Sequence, residues 1–197
     1  LFAILFILLF RLGEAQALKV VSLFMLDPRA KGGLGLSNQE FGIVYSIVGI
    51  AFLTIGGLLG GWLISRYGLK RMLWPMVLTM HLPNLAFVFL ALVQPESLTI
   101  IATALAIEQF GYGFGFTAFL MIMMMIADGP KKTSHDALCT GFMAAGMMIP
   151  GAFSGDLSQY LGYGSFFIWA CLCTVPGLIL TAFLKIESDF GKKVSGA

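Results

Sequence analysis

Charge is what this 197-residue chain has least of: 12 Lys and Arg with 10 Asp and Glu, or 11% charged residues against 58% hydrophobic ones. A soluble domain carries about 25% charged residues. That shortage excludes an ordinary water-soluble fold and points to a polytopic membrane protein. The net charge of +2 is too small to suggest a nucleic-acid partner. Histidine and cysteine are scarce too, at 2 and 3 residues. Cys139, Cys171 and Cys173 all fall in apolar runs, so they form no disulfide framework and, with no His or Asp cluster beside them, no metal site. They read as small buried apolar side chains. Neither a metal nor a tightly held cofactor is expected, and no enzyme chemistry. The first residues, Leu1-Phe2-Ala3, lack an initiator Met and a charged n-region. The expectation is therefore a piece of a longer chain rather than a signal peptide.

Long hydrophobic runs are what the chain has in abundance. Six spans can be drawn, at about 1–26, 41–64, 72–93, 97–127, 137–157 and 163–184, followed by a charged tail at 185–197. Asp27-Pro28 stops the first, since proline ends a helix. Ser37-x-x-Glu40 is a capping-box pattern for the second, and Thr133-x-x-Asp136 offers one for the fifth. Arg66, Lys70, Arg71, Lys131, Lys132, Lys185, Lys192 and Lys193 fall on one side of this layout, and only Arg29 and Lys31 lie in loops on the other. The positive-inside rule then places both termini in the cytoplasm. Gly56-x-x-x-Gly60, Gly57-x-x-x-Gly61, Gly111-x-x-x-Gly115 and Gly151-x-x-x-Gly155 put small residues on helix faces, as close helix packing in lipid requires.

Against this background the polar residues at membrane depth stand out. Ile107-Glu108-Gln109-Phe110-Gly111-Tyr112-Gly113-Phe114-Gly115 interrupts the fourth span. Glu108 lies roughly 16 Å from the start of that span at the helical rise, near the midplane. In the first span Glu14 and Arg11 lie about 20 and 24 Å below the outer end. Together with Lys19 and Ser22 they occupy a sector of about 140° on one helix face, as a cavity wall would. Ionisable groups at such depth are costly and mark solute or ion pathways. The two charged spans each lead a triplet, and successive triplets run in opposite senses. The expected architecture is therefore all-α, with six transmembrane helices arranged as two inverted three-helix repeats.

Each of these residues has two readings. Glu108 is a carboxylate that loads and releases a proton, or a fixed partner of Arg11 or another base. Arg11 holds an anionic substrate group, or pairs with Glu14 one turn away. Gln109 and Tyr112 line a cavity beside Glu108, or pack. Lys19 snorkels or faces an outer vestibule. His81, alone beside Pro83, reads as neutral and hydrogen-bonded rather than as a proton relay. Asp156 belongs at the outer interface, solvated.

The stretch Gly60-Gly61-Trp62-Leu63-Ile64-Ser65-Arg66-Tyr67-Gly68-Leu69-Lys70-Arg71 resembles the loop signature of the major facilitator superfamily, with Ser65 where that family usually has Asp. The resemblance implies a twelve-helix transporter of which this chain is the C-terminal half. It also implies a cytoplasmic gating loop carrying Gly61, Arg66, Gly68, Lys70 and Arg71. Arg11-Leu12-Gly13-Glu14-Ala15, Gly32-Gly33-Leu34-Gly35-Leu36-Ser37, the stretch from Glu108 to Gly115, Lys132-Thr133-Ser134-His135 and Cys139-Thr140-Gly141-Phe142-Met143 are similar to the AmpG-type muropeptide permease branch, which is related to acetyl-coenzyme A transporters. That branch implies proton-coupled import of anhydro-muropeptides across a bacterial inner membrane. The partners implied are the missing N-terminal six-helix half, a small polar solute, protons and the lipid bilayer. Transport of another small polar or anionic solute stays open. So does a six-span assembly subunit without transport, although such a scaffold needs no Arg11, Glu14 and Glu108 at core depth. An intramembrane hydrolase built on Ser154 is disfavoured, because Ala152 stands where its motif wants Gly and no His lies in the sixth span to act as base.

Overall fold

A computed structural model describes residues 2–193; Leu1 of the first expected span and 194–197 of the expected tail lie outside the described residues. The described residues are mostly helical, with no strand among them. The helices are α1 Phe2–Phe10, α2 Leu12–Leu26, α3 Asn38–Tyr67, α4 Leu69–Val93, α5 Leu98–Ala127, α6 Lys132–Leu161 and α7 Tyr163–Ala182. Among the described residues, the five helices α3 to α7 are long and apolar enough to cross a membrane. The first apolar run is divided. Arg11 has φ −102° and ψ 12°, outside the helical basin, and α1 and α2 have only 9 and 15 residues against the roughly 20 that a bilayer requires.

Capping explains some boundaries and not others. Ser37 and Glu40 form the capping box read from their spacing: the Ser37 hydroxyl accepts from the Glu40 N–H, and the Glu40 carboxylate accepts from the Ser37 N–H at 2.9 Å. The pattern at Thr133 and Asp136 does not cap. Helix α6 already starts at Lys132, with Lys131 at the N-cap and no side-chain bond there, so Thr133 sits inside the first turn.

Helix α5 is the hub of the bundle, packed against α3, α4 and α6. Its glycines make this possible. A Cβ on Gly111 would strike the Thr79 carbonyl oxygen of α4, and one on Gly113 would strike the Leu53 carbonyl oxygen of α3. With no hydrophobic drive between helices in lipid, such backbone approach is a main source of association. The other expected small-residue faces divide. Gly56 and Gly60 meet α5, whereas Gly61 and Gly155 have nothing within 4 Å of the Cβ position and serve no contact here.

The buried side chains fall into two apolar clusters. One gathers Phe6, Phe10, Met76, Met80, Phe119 and Ile122; the other gathers Val20, Phe24, Phe87, Ile101, Leu105 and Phe167. Along α1–α2, α4 and α5 the clusters are separated by polar residues: Arg11, Glu14 and Gln16; His81 and Asn84; Glu108 and Gln109. A polar layer thus crosses the bundle between two apolar slabs. Helical regularity fails at the same level. The α1–α2 break at Arg11, the 3-10 turn Leu82–Asn84 within α4 and the interruption at Cys173 and Thr174 within α7 all lie there.

The two ends of the bundle are tied by loops. At one, Tyr163 donates to the Asp27 carboxylate at 2.7 Å, and Arg29 donates to the Gln94 and Pro95 carbonyls at 2.6 and 2.9 Å. At the other, the segment after α7 folds back across the α3–α4 turn. Leu69 N–H donates to the Phe190 carbonyl at 2.9 Å, Lys193 N–H to the Ser65 carbonyl at 2.8 Å, and Ile186 is buried. Within that segment Lys192 donates to Asp189, which holds the Asp189 carboxyl below the usual carboxylate range.

Candidate functional site

The polar layer is organised around Arg11. Because it stands at the helix break, it begins α2 instead of continuing α1, and the Arg11 carbonyl accepts from Ala15 N–H at 2.8 Å. Its guanidinium turns inward. Nη2 donates to Glu14 Oε1 at 2.6 Å and to the Tyr112 hydroxyl at 2.7 Å, while Nε reaches Glu14 Oε2 at 3.3 Å. Two-pronged contact with a carboxylate is the strong form of this interaction. Beneath it the Phe116 ring centroid lies 4.6 Å from the guanidinium carbon, near enough for a cation–π contact. Arg11 and Glu14 are each only 3% exposed. The one-turn pair with Glu14, one of the two readings open for Arg11, is present in the structure.

Glu108 is the more unusual group. It is 2% exposed and accepts one hydrogen bond, from Gln109 Nε2 at 3.0 Å. No Lys, Arg or His among the described residues lies within ion-pair distance of it. Arg11, the partner that α2 could have supplied, is committed to Glu14 and Tyr112. A carboxyl group this deep without a counter-charge is expensive to keep ionised unless its surroundings change. Glu14 and Tyr45 lie within electrostatic reach of it. Tyr45 comes from Gly42–Gly49, where α3 widens into π-helix, an irregularity frequent at functional sites.

The structure brings Arg11, Glu14 and Tyr112 into one hydrogen-bonded unit and sets Glu108 and Gln109 beside it. Lys19 is not part of this unit. It is exposed and lies along α6 over Gly151, where a Cβ would stand 3.1 Å from the Lys19 Cγ. The expected stripe therefore turns: Arg11 and Glu14 face inward, Ser22 is half-buried, and Lys19 faces outward. The loop residues lie at the far end. Gly68 has φ +83°, a region that favours glycine, and Arg66 and Arg71 each stack on Tyr67, at 5.5 and 5.6 Å. Lys70 is exposed beside them, and Gly61 touches nothing.

Comparison of the sequence with known proteins finds similarity to a group of transporters. No family model matches the chain. A Rickettsia prowazekii protein carrying the transporter name AmpG 2 is 27% identical over 179 residues, covering 91% of this chain and 42% of that protein. The anhydromuropeptide permease of Escherichia coli is 27% identical over 177 residues, 90% of this chain and 35% of the permease. This chain is homologous to AmpG-type permeases. A Haemophilus influenzae protein of uncharacterised role aligns as well, at 26% identity over 94% of this chain and 44% of its own length. The chain spans less than half the length of these relatives. The AmpG-type resemblance read from residue patterns thus holds across nearly the whole sequence.

Reasoning from the sequence missed several members of the layer. Gln16 is 6% exposed and accepts from the Trp169 indole at 3.0 Å, linking α2 to α7. Its signal was present, an amide within an apolar span, but its partner lies 153 positions away. Asn84 and Tyr45 also belong there. For His81 the hydrogen-bonded reading is overturned. The ring is 6% exposed, and neither nitrogen has a partner among the described residues. Its neighbour is the Phe10 ring, edge-on at 5.1 Å, which offers no acceptor. Cys171 is half-buried rather than buried. Ser154 donates to the Pro150 carbonyl of its own helix, as a structural hydroxyl does, and is not posed as a nucleophile.

Proposed function

We propose that this chain is the C-terminal six-helix half of a major facilitator transporter, and that the whole protein imports anhydro-muropeptides together with protons across a bacterial inner membrane. In this reading α1 and α2 form a sixth span, discontinuous at Arg11. With α3 and α4 they make one three-helix repeat, and α5, α6 and α7 make its inverted counterpart. Both ends face the cytoplasm, as the distribution of Lys and Arg requires. The solute lies between this half and an N-terminal half, and the protein is not an enzyme.

The observation that carries the reading is Glu108, a buried carboxyl with no cation in ion-pair distance among the described residues, next to a closed Arg11–Glu14–Tyr112 unit in a chain homologous to permeases. A pure scaffold gains nothing from such a group, since its burial costs free energy and holds no helices together. A proton carrier needs it: a site sealed in one conformation and wetted in another changes its proton occupancy between them. Helix breaks at the same level fit the discontinuous helices that secondary transporters use at their binding sites.

The test is uptake of labelled anhydro-muropeptide by the full-length protein in proteoliposomes, with and without an inward proton gradient. Wild type should accumulate the solute only with the gradient. Glu108→Gln should still bind and exchange it but lose gradient-driven accumulation. Unchanged accumulation in that variant would make Glu108 structural. Absence of uptake by correctly folded wild type would remove the muropeptide assignment.

A further inference from the structure

Outside the polar layer, the densest charge lies where the tail crosses the α3–α4 turn. Arg66, Lys70, Arg71 and Lys192, with Tyr67 and Ser188, line one cavity of about 340 Å³. Arg66 and Arg71 both stack on the Tyr67 ring and both line this cavity. Neither they nor Lys70 form an ion pair among the described residues. Lys192 pairs with Asp189. Glu187 lines only the adjoining hollow, beside Lys70 and Lys185, and reaches neither within ion-pair distance. Position 65, in the same turn, carries Ser and so adds no carboxylate to the cluster. The Ser65 hydroxyl is occupied with the Trp62 carbonyl at 2.8 Å.

A second observation sets the depth. Trp62, one turn before Arg66 on the membrane helix α3, is exposed, and its ring lies 5.4 Å from the Arg66 guanidinium carbon. Exposed Trp and Tyr beside Arg and Lys at a helix end mark the headgroup level of a bilayer. The pocket also has a fixed floor, since Leu69 and Lys193 N–H groups clamp the tail to the turn. Three cations with no ion pair among the described residues, a fourth shared with Asp189, the Ser188 hydroxyl and the Tyr67 ring suit an anion with several oxygens.

We propose that this pocket binds a phosphate group, presented by the headgroup of an anionic phospholipid or by a soluble phosphate. Guanidinium forks match phosphate oxygens two at a time, and basic pockets at the ends of membrane helices hold such headgroups. The bound anion bridges the turn and the tail, so its occupancy stabilises the folded end of the bundle. This site depends on the chain's lying in a membrane and not on transport, so its test can fail while the transport reading stands.

The experiment is the apparent Tm of the full-length protein in neutral detergent, with added phosphatidylglycerol, phosphatidylcholine or inorganic phosphate. At a concentration ten times the Kd, mass action shifts the folding equilibrium about elevenfold, which raises the apparent Tm. Phosphatidylglycerol should give that rise and phosphatidylcholine should not. The rise should vanish in R66Q/R71Q and survive in K131Q/K132Q, which removes the same charge from another loop. Ser188→Asp keeps every cation and places a carboxylate in the pocket; it too should abolish the rise. A rise given by inorganic phosphate at matched concentration supports the same site with a soluble ligand. The proposal is overturned if neither anion shifts Tm, if K131Q/K132Q loses the rise equally, or if Ser188→Asp keeps it.

Discussion

The Arg11–Glu14 pair allows a quantitative test, because the two groups are almost wholly buried and hold each other. Substituting Arg11→Met leaves the Glu14 carboxylate, 3% exposed, without its cation and strips the donor from the Tyr112 hydroxyl. Removing one member of a buried pair costs about 3–5 kcal/mol, because the other charge stays behind uncompensated. Glu14→Met does the reverse and strands the guanidinium over Phe116. Removing both charges leaves two flexible apolar side chains between aromatic rings, and such replacements are often neutral or stabilising. The pair should therefore show a coupling of about 3 kcal/mol or more in a double-mutant cycle. For a domain of this size each kcal/mol moves Tm by roughly 2–4 °C, so each single variant should melt about 10 °C below wild type. The double variant should recover most of that difference. The assay is thermal unfolding of purified protein in detergent, followed by circular dichroism. A double variant as unstable as the sum of its singles would refute the pairing, and Glu108 would then be the partner to examine.

Two further predictions rest on packing and on unpaired atoms. Gly111→Ala drives a Cβ into the Thr79 carbonyl oxygen at the α4–α5 crossing and should cost about 1–3 kcal/mol, whereas Gly61→Ala, with nothing within 4 Å, should be neutral or stabilising; paired melting curves decide. His81→Leu removes two ring nitrogens that have no hydrogen-bond partner among the described residues and should raise stability by about 1 kcal/mol; a fall in Tm would mean that the ring has a polar partner in the working protein.

Much of this was legible in the sequence because membrane solvation leaves few choices. Apolar runs of bilayer length must be helices, since lipid offers backbone groups no partner. An Arg, a Glu and a second Glu inside such runs had to be buried together or wetted. The spacing of Arg11 and Glu14 allowed their pairing but could not select it over a bond between Arg11 and Glu108. That choice was made by the break at Arg11, which no proline or glycine at that position announces. Gln16 met Trp169, and Tyr45 approached Glu108, through packing across distant helices, which carries no local signal. His81 was misjudged for a related reason. The rule that buried polar groups find partners is statistical, and only the structure shows Phe10 occupying that side.

The way Arg11 is bound bears on how a sealed site could open. Its pairing with Glu14 lies within one turn of α2, so the two charges move together when that helix moves. Across to α5 the unit is joined by the bond from Arg11 to the Tyr112 hydroxyl and by the guanidinium's contact with the Phe116 ring. In the proposed transport cycle, α2 can therefore swing away from α5 without separating a buried ion pair. The price is one hydrogen bond to a charged group, about 1.5–3 kcal/mol, and one cation–π contact, about 0.5–2 kcal/mol. A proton driven across 100 mV supplies about 2.3 kcal/mol, which is of the same order. Had Arg11 been paired with Glu108 across the two helices, opening would have stranded both charges at about 3–5 kcal/mol or more, beyond that supply. Leaving Glu108 free of Arg11 thus keeps the carboxyl available and the helix interface cheap to open, and both follow from one break in one helix.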